Sequence, residues 1–416
     1  MLETLAFACM GLIIAMWIVR HVLMSLTKKS DVFIRPDQEA PVQDGPLVSV
    51  IIPVRNERKN VRRCLRSVLS QDYPNIEVIV VDDRSTDATP DIVTGIFEEY
   101  RSLVTSPKGS GEPLPERLLS LIHVDHLPQG WTGKTHALVR GASVAKGEFL
   151  LFLDADTWHH PSNITQVMSY EKRHDADMIS LLPRLENIGF WERLLHPVLS
   201  GMLILRYPPH AVNDPAKKNC AFANGQYILI RRSAYDAVGG HEAVRGELLE
   251  DIALAKLVKR SGRFRPLVAM GQELSTVRMY GKIQDIWRGW SRIFLAGLNR
   301  SVMSILASMG LMITFSLAPF VVLLLTSSLL LVGPPSLSLW LFFGLSALQV
   351  ALVYWGVYRM YGLSHSDRRY IPLYPFAGVI GLCVLVASLW KLLRRQDITW
   401  RGTQYAHANT PRASSP

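Results

Sequence analysis

Apolar positions are unevenly spread along this chain, and their period changes with position. Residues 4–26 form a nearly continuous apolar run, long enough to span a bilayer. Arg20 and His21 interrupt it close to one end, where an arginine can reach the interface. Residues 36–46 carry three prolines among polar residues and read as a linker. Beyond it, short apolar runs alternate with helical periodicity. Leu47–Val54, Ile76–Val81, Leu118–Val124 and Leu150–Leu153 predict buried strands. Between them 59–71, 89–100 and 135–146 predict helices, the first with Val61, Leu65, Val68 and Leu69 on one face. Further strands are expected at Asp177–Leu182 and Asn224–Ile230, an amphipathic helix at 188–206 and another helix at Glu247–Ser261. This alternation argues a mostly parallel, doubly wound α/β sheet. Residues 106–113 read as a surface loop.

After residue 280 the pattern changes again. Residues 281–300 alternate tryptophans with basic residues at helical spacing, as in a helix lying in a membrane interface. Apolar segments follow at 302–332, 337–358 and 371–390, each long enough to cross. Basic clusters stand at Arg359–Arg369 and Lys391–Arg395, and both cannot be cytoplasmic if all three segments cross. Pro319, or Pro372 with Pro375, is the candidate for a broken or re-entrant segment, and the pattern leaves the topology open. The expected organisation is an anchor at 1–30, one α/β domain at 46–280, an interfacial helix at 281–300, membrane helices at 301–393 and a basic tail at 394–416.

Composition sharpens this. The chain is 49% hydrophobic over 416 residues, and the excess sits at its two ends, leaving a middle of ordinary globular composition. A net charge of +10 points to anionic partners, a lipid surface or a phosphorylated substrate. No basic-aromatic stripe or motif for nucleic acid is present, so no nucleic-acid partner is expected. The four cysteines lack metal-ligand spacing and read as free thiols in a reducing compartment. The first segment lacks a basic start and a small-residue cleavage site, so it reads as an anchor. Lys28, Lys29 and Arg35 follow it and only Glu3 precedes it, which puts the middle domain in the cytoplasm.

Candidate chemistry gathers where strands end. The run at 150–153 stops at Asp154-Ala155-Asp156, two hard oxygen ligands suited to Mg²⁺ or Mn²⁺. Alternatively Asp156 caps the following helix. Ile76–Val81 stops at Asp82-Asp83, with Asp87 placed to cap the next helix. Gly133-Lys134 opens a helix, and Glu250-Asp251 opens another.

Together VSVIIPVRNE at 48–57, VIVVDDRSTDAT at 78–89, GWTGK at 130–134, LFLDAD at 151–156 and LLEDIALA at 248–255 resemble the family-2 glycosyltransferases of GT-A fold. GWTGK, WRGW at 287–290 and WRGTQY at 400–405 resemble its membrane-bound branch acting on hopanoid and carotenoid lipids. The resemblance implies an integral protein of a bacterial cytoplasmic membrane that moves one sugar from a nucleotide-sugar donor, with a UDP-sugar expected, to a lipid hydroxyl with inversion. It assigns Asp83, Pro53, Arg55 and Glu57 to the nucleoside pocket and Lys134 to the diphosphate. Asp156 would ligate the cation, with Asp154 toward the ribose or a metal-bound water. Asp251 would be the general base, with Glu250 as the neighbour able to replace it. Helix N-terminal charge is the plain alternative for both.

Departures from the family pattern are also visible. Gln284-Asp285-Ile286-Trp287-Arg288 exchanges the last two residues of the Gln-x-x-Arg-Trp found in polysaccharide synthases, which speaks against a processive synthase. Arg288 and Trp290 are left to diphosphate contact or interfacial packing. His241 stands where an aromatic residue is usual. His159 and His160 read as solvated turn residues or added metal ligands. The rivals are a processive polysaccharide synthase and a catalytically inactive membrane scaffold.

Overall fold

The computed structural model describes residues 2–27, 32–40, 44–105, 115–247, 249–334, 336–394, 398–400 and 403–405. The loop expected at 106–113, Lys28 and Lys29, and most of the tail lie outside the described residues. Helices in chain order are α1 (Leu2–Thr27), α2 (Val61–Leu69), α3 (Thr89–Thr105), α4 (Gly133–Val144) and α5 (Asn163–His174). Then come α6 (Phe190–Arg206), α7 (Pro209–Val212), α8 (Arg232–Ala237), α9 (Glu250–Ser261) and α10 (Ile283–Gly297). The last four are α11 (Val302–Met312), α12 (Ala318–Val332), α13 (Leu337–Leu363) and α14 (Tyr374–Leu393). Two compact units share them. An α/β unit covers Asp31–Glu186 and Arg206–Met279, and a helical unit covers Met1–Ser30, Asn187–Leu205 and Tyr280–Pro416.

The α/β unit is built on a seven-stranded sheet in the order β3-β2-β1-β4-β8-β6-β9. Its strands are β1 (Val48–Val54), β2 (Ile76–Asp83), β3 (Leu118–Val124), β4 (Phe149–Leu153), β6 (Met178–Leu182), β8 (Tyr227–Arg231) and β9 (Pro266–Met270). β5 (Thr157–His159), β7 (Arg184–Leu185) and β10 (Ser275–Val277) form a second, three-stranded sheet with β10 in the middle. Every residue of β2 and β4 is buried, as expected of strands covered on both faces. β1, β2, β3 and β4 run parallel, whereas β8 is antiparallel to both β4 and β6. The sheet is therefore mixed. β1 ladders with β4 only over Val48–Ile51, so Pro53, which has no N–H to give, lies beyond that ladder.

The helical unit takes α6, so the single 46–280 domain read from the sequence is interrupted. Leu194, Leu195, Val198 and Leu199 of α6 share a buried cluster with Ile286, Trp290 and Phe294 of α10. α11 and α12 are joined by a π-helical stretch, Ile313–Leu317, directly before Pro319. The wider turn accommodates a ring that would otherwise clash with the carbonyl four residues earlier, so the helix continues through it. Among the described residues, four helical segments are long and apolar enough to cross a membrane: Glu3–Leu23, Val302–Val332, Leu337–Leu363 and Arg368–Leu393.

Candidate active site

Parallel β1, β2 and β4 deliver their C-terminal ends to one edge of the sheet, the rim where open α/β folds bind ligands. Asp83 is the last residue of β2, and Asp154 follows β4 directly. Asn56 and Arg84, just past β1 and β2, both adopt left-handed backbone with φ of 55° and 56°. Asn56 Oδ1 accepts from Thr86 N at 2.7 Å and Asn56 N donates to Ser85 Oγ at 3.0 Å, which ties the two rim loops together.

Asp83 is buried, and its carboxylate is held from two sides. Arg84 Nε lies 2.8 Å from Oδ1, and Arg55 Nη1 lies 3.4 Å from Oδ2. Asp82 accepts from Ser85 N at 3.3 Å, as a turn residue does. Glu57 is buried and accepts from Asn60 Nδ2 at 2.9 Å, while its N–H donates to Thr89 Oγ1 at 2.8 Å.

Lys134 draws the rest of the site together. Thr132 caps α4 by accepting from Thr135 N at 3.1 Å, which puts Gly133 and Lys134 in the helix's first turn. A side chain at Gly133 would collide with Asp83 Oδ2, so this turn lies directly against Asp83. Lys134 Nζ sits 2.7 Å from Asp154 Oδ1 and 2.9 Å from Glu250 Oε1. Burial alone would lower the ammonium's pKa, but the charges of Asp154, Glu250 and Asp251 outweigh it and hold the group above the ordinary lysine value.

Asp251 lies in the first turn of α9, where aligned backbone N–H groups favour negative charge. Gly225 N donates to Asp251 Oδ2 at 2.8 Å, and Ile252 N donates to Oδ1 at 2.8 Å. A Cβ at Gly225 would come 3.0 Å from Lys134 Nζ and 3.2 Å from Asp251 Oδ2, so glycine is what lets the backbone reach both. Burial pushes the Asp251 carboxyl up, and the charge of Glu250 pushes it further. Lys134 and the two N–H donors pull it back, leaving it at about 7.

One connected site thus brings together Asp83, Lys134, Asp154, Glu250 and Asp251, with Asp156 two residues from Asp154. Lys134, assigned from the sequence to a diphosphate, is here bonded to carboxylates. Other assignments shift more. His159 is not a solvated turn residue: it is buried in β5, bonded to Thr157 Oγ1 at 2.8 Å and Ser275 Oγ at 2.9 Å. Burial lowers its pKa to about 3, which keeps the ring neutral. His160 bonds Ser162 Oγ at 2.9 Å. His241 is also buried, edge-on to Phe152 and 3.1 Å from Tyr235 Oη, so it belongs to the core. In the helical unit Trp290 is 3% exposed and packs on Phe294, a structural role, while Arg288 is exposed. What Gly133 and Gly225 are needed for is a close approach from distant segments, which no local pattern encodes.

Asp154 and Asp156 offer hard carboxylate oxygens at the rim, the donor type that Mg²⁺ or Mn²⁺ takes. Among the described residues no group of three or more His, Cys, Asp or Glu could hold an ion by itself. A two-carboxylate site completed by substrate phosphates is the usual arrangement for these cations, so the residues fit.

Residues 49–239 match the family described as Glycosyl transferase family 2. A relative from Staphylococcus aureus (strain USA300), 4,4'-diaponeurosporenoate glycosyltransferase, is 22% identical over 363 residues, covering 86% of this chain and 88% of its own. The mannosyltransferase PcManGT of Pyrobaculum calidifontis, solved with GDP-Man and Mn2+, superposes with a TM-score of 0.54 at 18% identity, covering 94% of this chain and 99% of its own. The shared architecture is the GT-A fold. Rim, acidic cluster and motif order all agree with this likeness to the family-2 glycosyltransferases.

Proposed function

We propose that this glycosyltransferase is membrane-embedded and metal-dependent, and that it moves one sugar from a nucleotide-sugar donor to a lipid hydroxyl with inversion at the anomeric carbon. The observation that carries the reading is the Asp251 carboxylate, oriented by Gly225 N–H and Ile252 N–H and pushed up to about 7 by burial. A base serves best when its pKa lies near working pH. Asp251 takes the acceptor hydroxyl's proton as that oxygen attacks the anomeric carbon. The bond from this carbon to the phosphate oxygen breaks on the opposite face, and the nucleoside diphosphate leaves. Asp83 and Arg55 hold the nucleoside side. Lys134 keeps three neighbouring carboxylates in place.

Asp156 and Asp154 would hold the divalent cation. Three carboxylates around one ammonium leave the cluster net negative, which a diphosphate would oppose; a bound cation supplies the missing charge and steadies the leaving group. A lipid acceptor is supported by the four long apolar helices and by the substrate in the Staphylococcus relative's name. Positive-inside bias favours the cytoplasmic side for the α/β unit.

The test is full-length protein in membranes, given labelled UDP-glucose, UDP-N-acetylglucosamine and GDP-mannose in parallel with an isoprenoid lipid extract. A lipid heavier by one hexose or N-acetylhexosamine, abolished by a chelator, is expected. Asp251→Asn should keep donor affinity and lose about 10²–10⁴-fold in transfer. A polymer ladder, or no lipid product from any donor, would overturn the reading.

A further inference from the structure

The helical unit resolves the conflict between its two basic clusters. α10 carries Asp285, Arg288 and Arg292 within fifteen residues and cannot cross; the side of the membrane that holds it is the near side. Among the described residues no candidate span lies between α10 and Val302. If Val302–Val332 crosses and Leu337–Leu363 crosses back, Leu363 is on the near side again. The next segment, Arg368–Leu393, has the length and hydropathy of a third crossing, which would carry its end to the far side.

Its contacts say otherwise. Lys391 Nζ lies 2.6 Å from Ser291 Oγ of α10, and Ser388 Oγ donates to Ser291 O at 2.9 Å. The end of α14 is therefore on α10, at the near side. Its start is deeper. Tyr374 Oη is 2.6 Å from Ser316 Oγ in the π-helical stretch, and Tyr354 Oη donates to Pro372 O at 3.4 Å. Tyr354 stands nine residues before the end of α13, roughly 13 Å along a helix at 1.5 Å per residue. Between these points Arg368 Nη1 donates to Tyr358 Oη at 3.0 Å, so the turn after Leu363 climbs back along α13. Gly378 and Gly381 then pass Leu317 and Met312, so α14 runs back along α11 in the opposite sense.

We infer that Arg368–Leu393 is a re-entrant hairpin rather than a crossing: a 3-10 turn enters from the near leaflet and α14 returns to it. The bend carries Pro372 and Pro375, and Tyr354 satisfies the Pro372 carbonyl, which is the condition for irregular backbone at membrane depth. Phe376, Val379, Val386, Trp390 and Leu393 share one exposed face of α14 and meet lipid, while the glycine face packs inward. Both basic clusters then lie at the same leaflet, whose anionic headgroups suit them. α10 and α14 together make a two-helix platform embedded in that leaflet, and α14 ends at the near side.

This rests on the membrane reading proposed above, and one experiment separates the two. Full-length protein carrying one epitope after Gly333 and another at the C-terminus is placed in sealed vesicles whose α/β unit is open to added protease. The expected result is a protected Gly333 epitope and a C-terminal epitope lost with the α/β unit. Protection of both epitopes would overturn the re-entrant hairpin and leave the membrane reading standing. Loss of both while the vesicles stay sealed would overturn the membrane reading, and the hairpin with it.

Discussion

The two units differ in what some of their glycines meet and in where charge gathers. In the α/β unit, three glycines meet backbone or ionised groups: Gly147 against Leu47 O and Ser49 N, Gly133 against Asp83, Gly225 against Lys134 and Asp251. In the helical unit, Gly201 and Gly381 meet the flexible side chains of Met360 and Met312 instead. Charges follow suit. At the rim Lys134 pairs with both Asp154 and Glu250, with Asp251 beside them, whereas α12 exposes Leu331 and Val332 at 87% and 90% and carries no charge at all. The α/β unit specifies its site through close polar contacts between distant segments. On the proposed membrane reading, the helical unit specifies position by where apolar surface stops and polar residues meet the headgroups.

The largest effect should come from removing the cation at the centre of the site. Lys134→Met leaves Asp154, Glu250 and Asp251 facing one another without compensation. Breaking such a pair costs about 3 kcal/mol, and transfer should fall by more than about 10²-fold. The sign with pH is definite. Carboxylates left unpaired have raised pKa values, so the stability they contribute is present at low pH and lost as pH rises through those values. The mutant's deficit in thermal unfolding should therefore be smaller at pH 5 than at pH 8. An equal deficit at both would mean that Lys134 matters for packing alone.

Gly147→Ala should come next, with no chemistry involved. A Cβ there would stand 2.6 Å from Leu47 O and 2.7 Å from Ser49 N, and the Gly147 N–H already donates to Ser49 Oγ at 2.7 Å and to buried Glu77 at 3.1 Å. Strand-entry backbone has to shift, at about 2–3 kcal/mol in unfolding free energy. A loss below about 1 kcal/mol would show that this corner of the sheet yields as readily as the helices of the helical unit.

What was legible in the sequence follows the same division. β1, β2 and β4 could be read because a strand covered on both faces is a continuous apolar run, and the acids at their ends stand out against it. The antiparallel course of β8 could not be read, because a buried strand's pattern is the same in either direction. β5, β7 and β10 are two or three residues long, below any period. His159 looked like a polar surface residue, since burial of a satisfied imidazole depends on Ser275 arriving from elsewhere. The apolar segments of the helical unit were found within a few residues, yet their sidedness was not. Hydropathy records whether a segment can cross, and only contacts such as Lys391 to Ser291 record where it returns.

A smaller effect tests the base directly. With Asp251 raised to about 7, transfer should fall close to tenfold for each unit of pH below that value, near 1.4 kcal/mol, because the protonated carboxyl cannot accept the acceptor's proton. Initial rates at saturating donor between pH 5.5 and 8.5 give the profile. The residual activity of Asp251→Asn should lack this limb, and an unchanged limb in that mutant would move the base to Glu250.

The smallest effect is expected where the comparison is most exposed to failure. Gly381→Ala adds a Cβ that would stand 2.9 Å from Met312 Cε and 3.6 Å from Leu199 Cδ2. Methionine has three rotatable side-chain bonds and gives way at little cost. Alanine also recovers roughly 0.8–1 kcal/mol of helix propensity that glycine forgoes. The two terms oppose each other, so the net change in unfolding free energy should stay within about 0.5 kcal/mol of zero. Gly147→Ala has no such offset, because two of the three atoms its Cβ would meet belong to the main chain. Thermal unfolding of both variants in the same detergent puts the units on one scale. If Gly381→Ala lost as much as Gly147→Ala, α14 would be held against α11 as rigidly as the sheet is held together, and the contrast between a fixed site and a yielding support would be false.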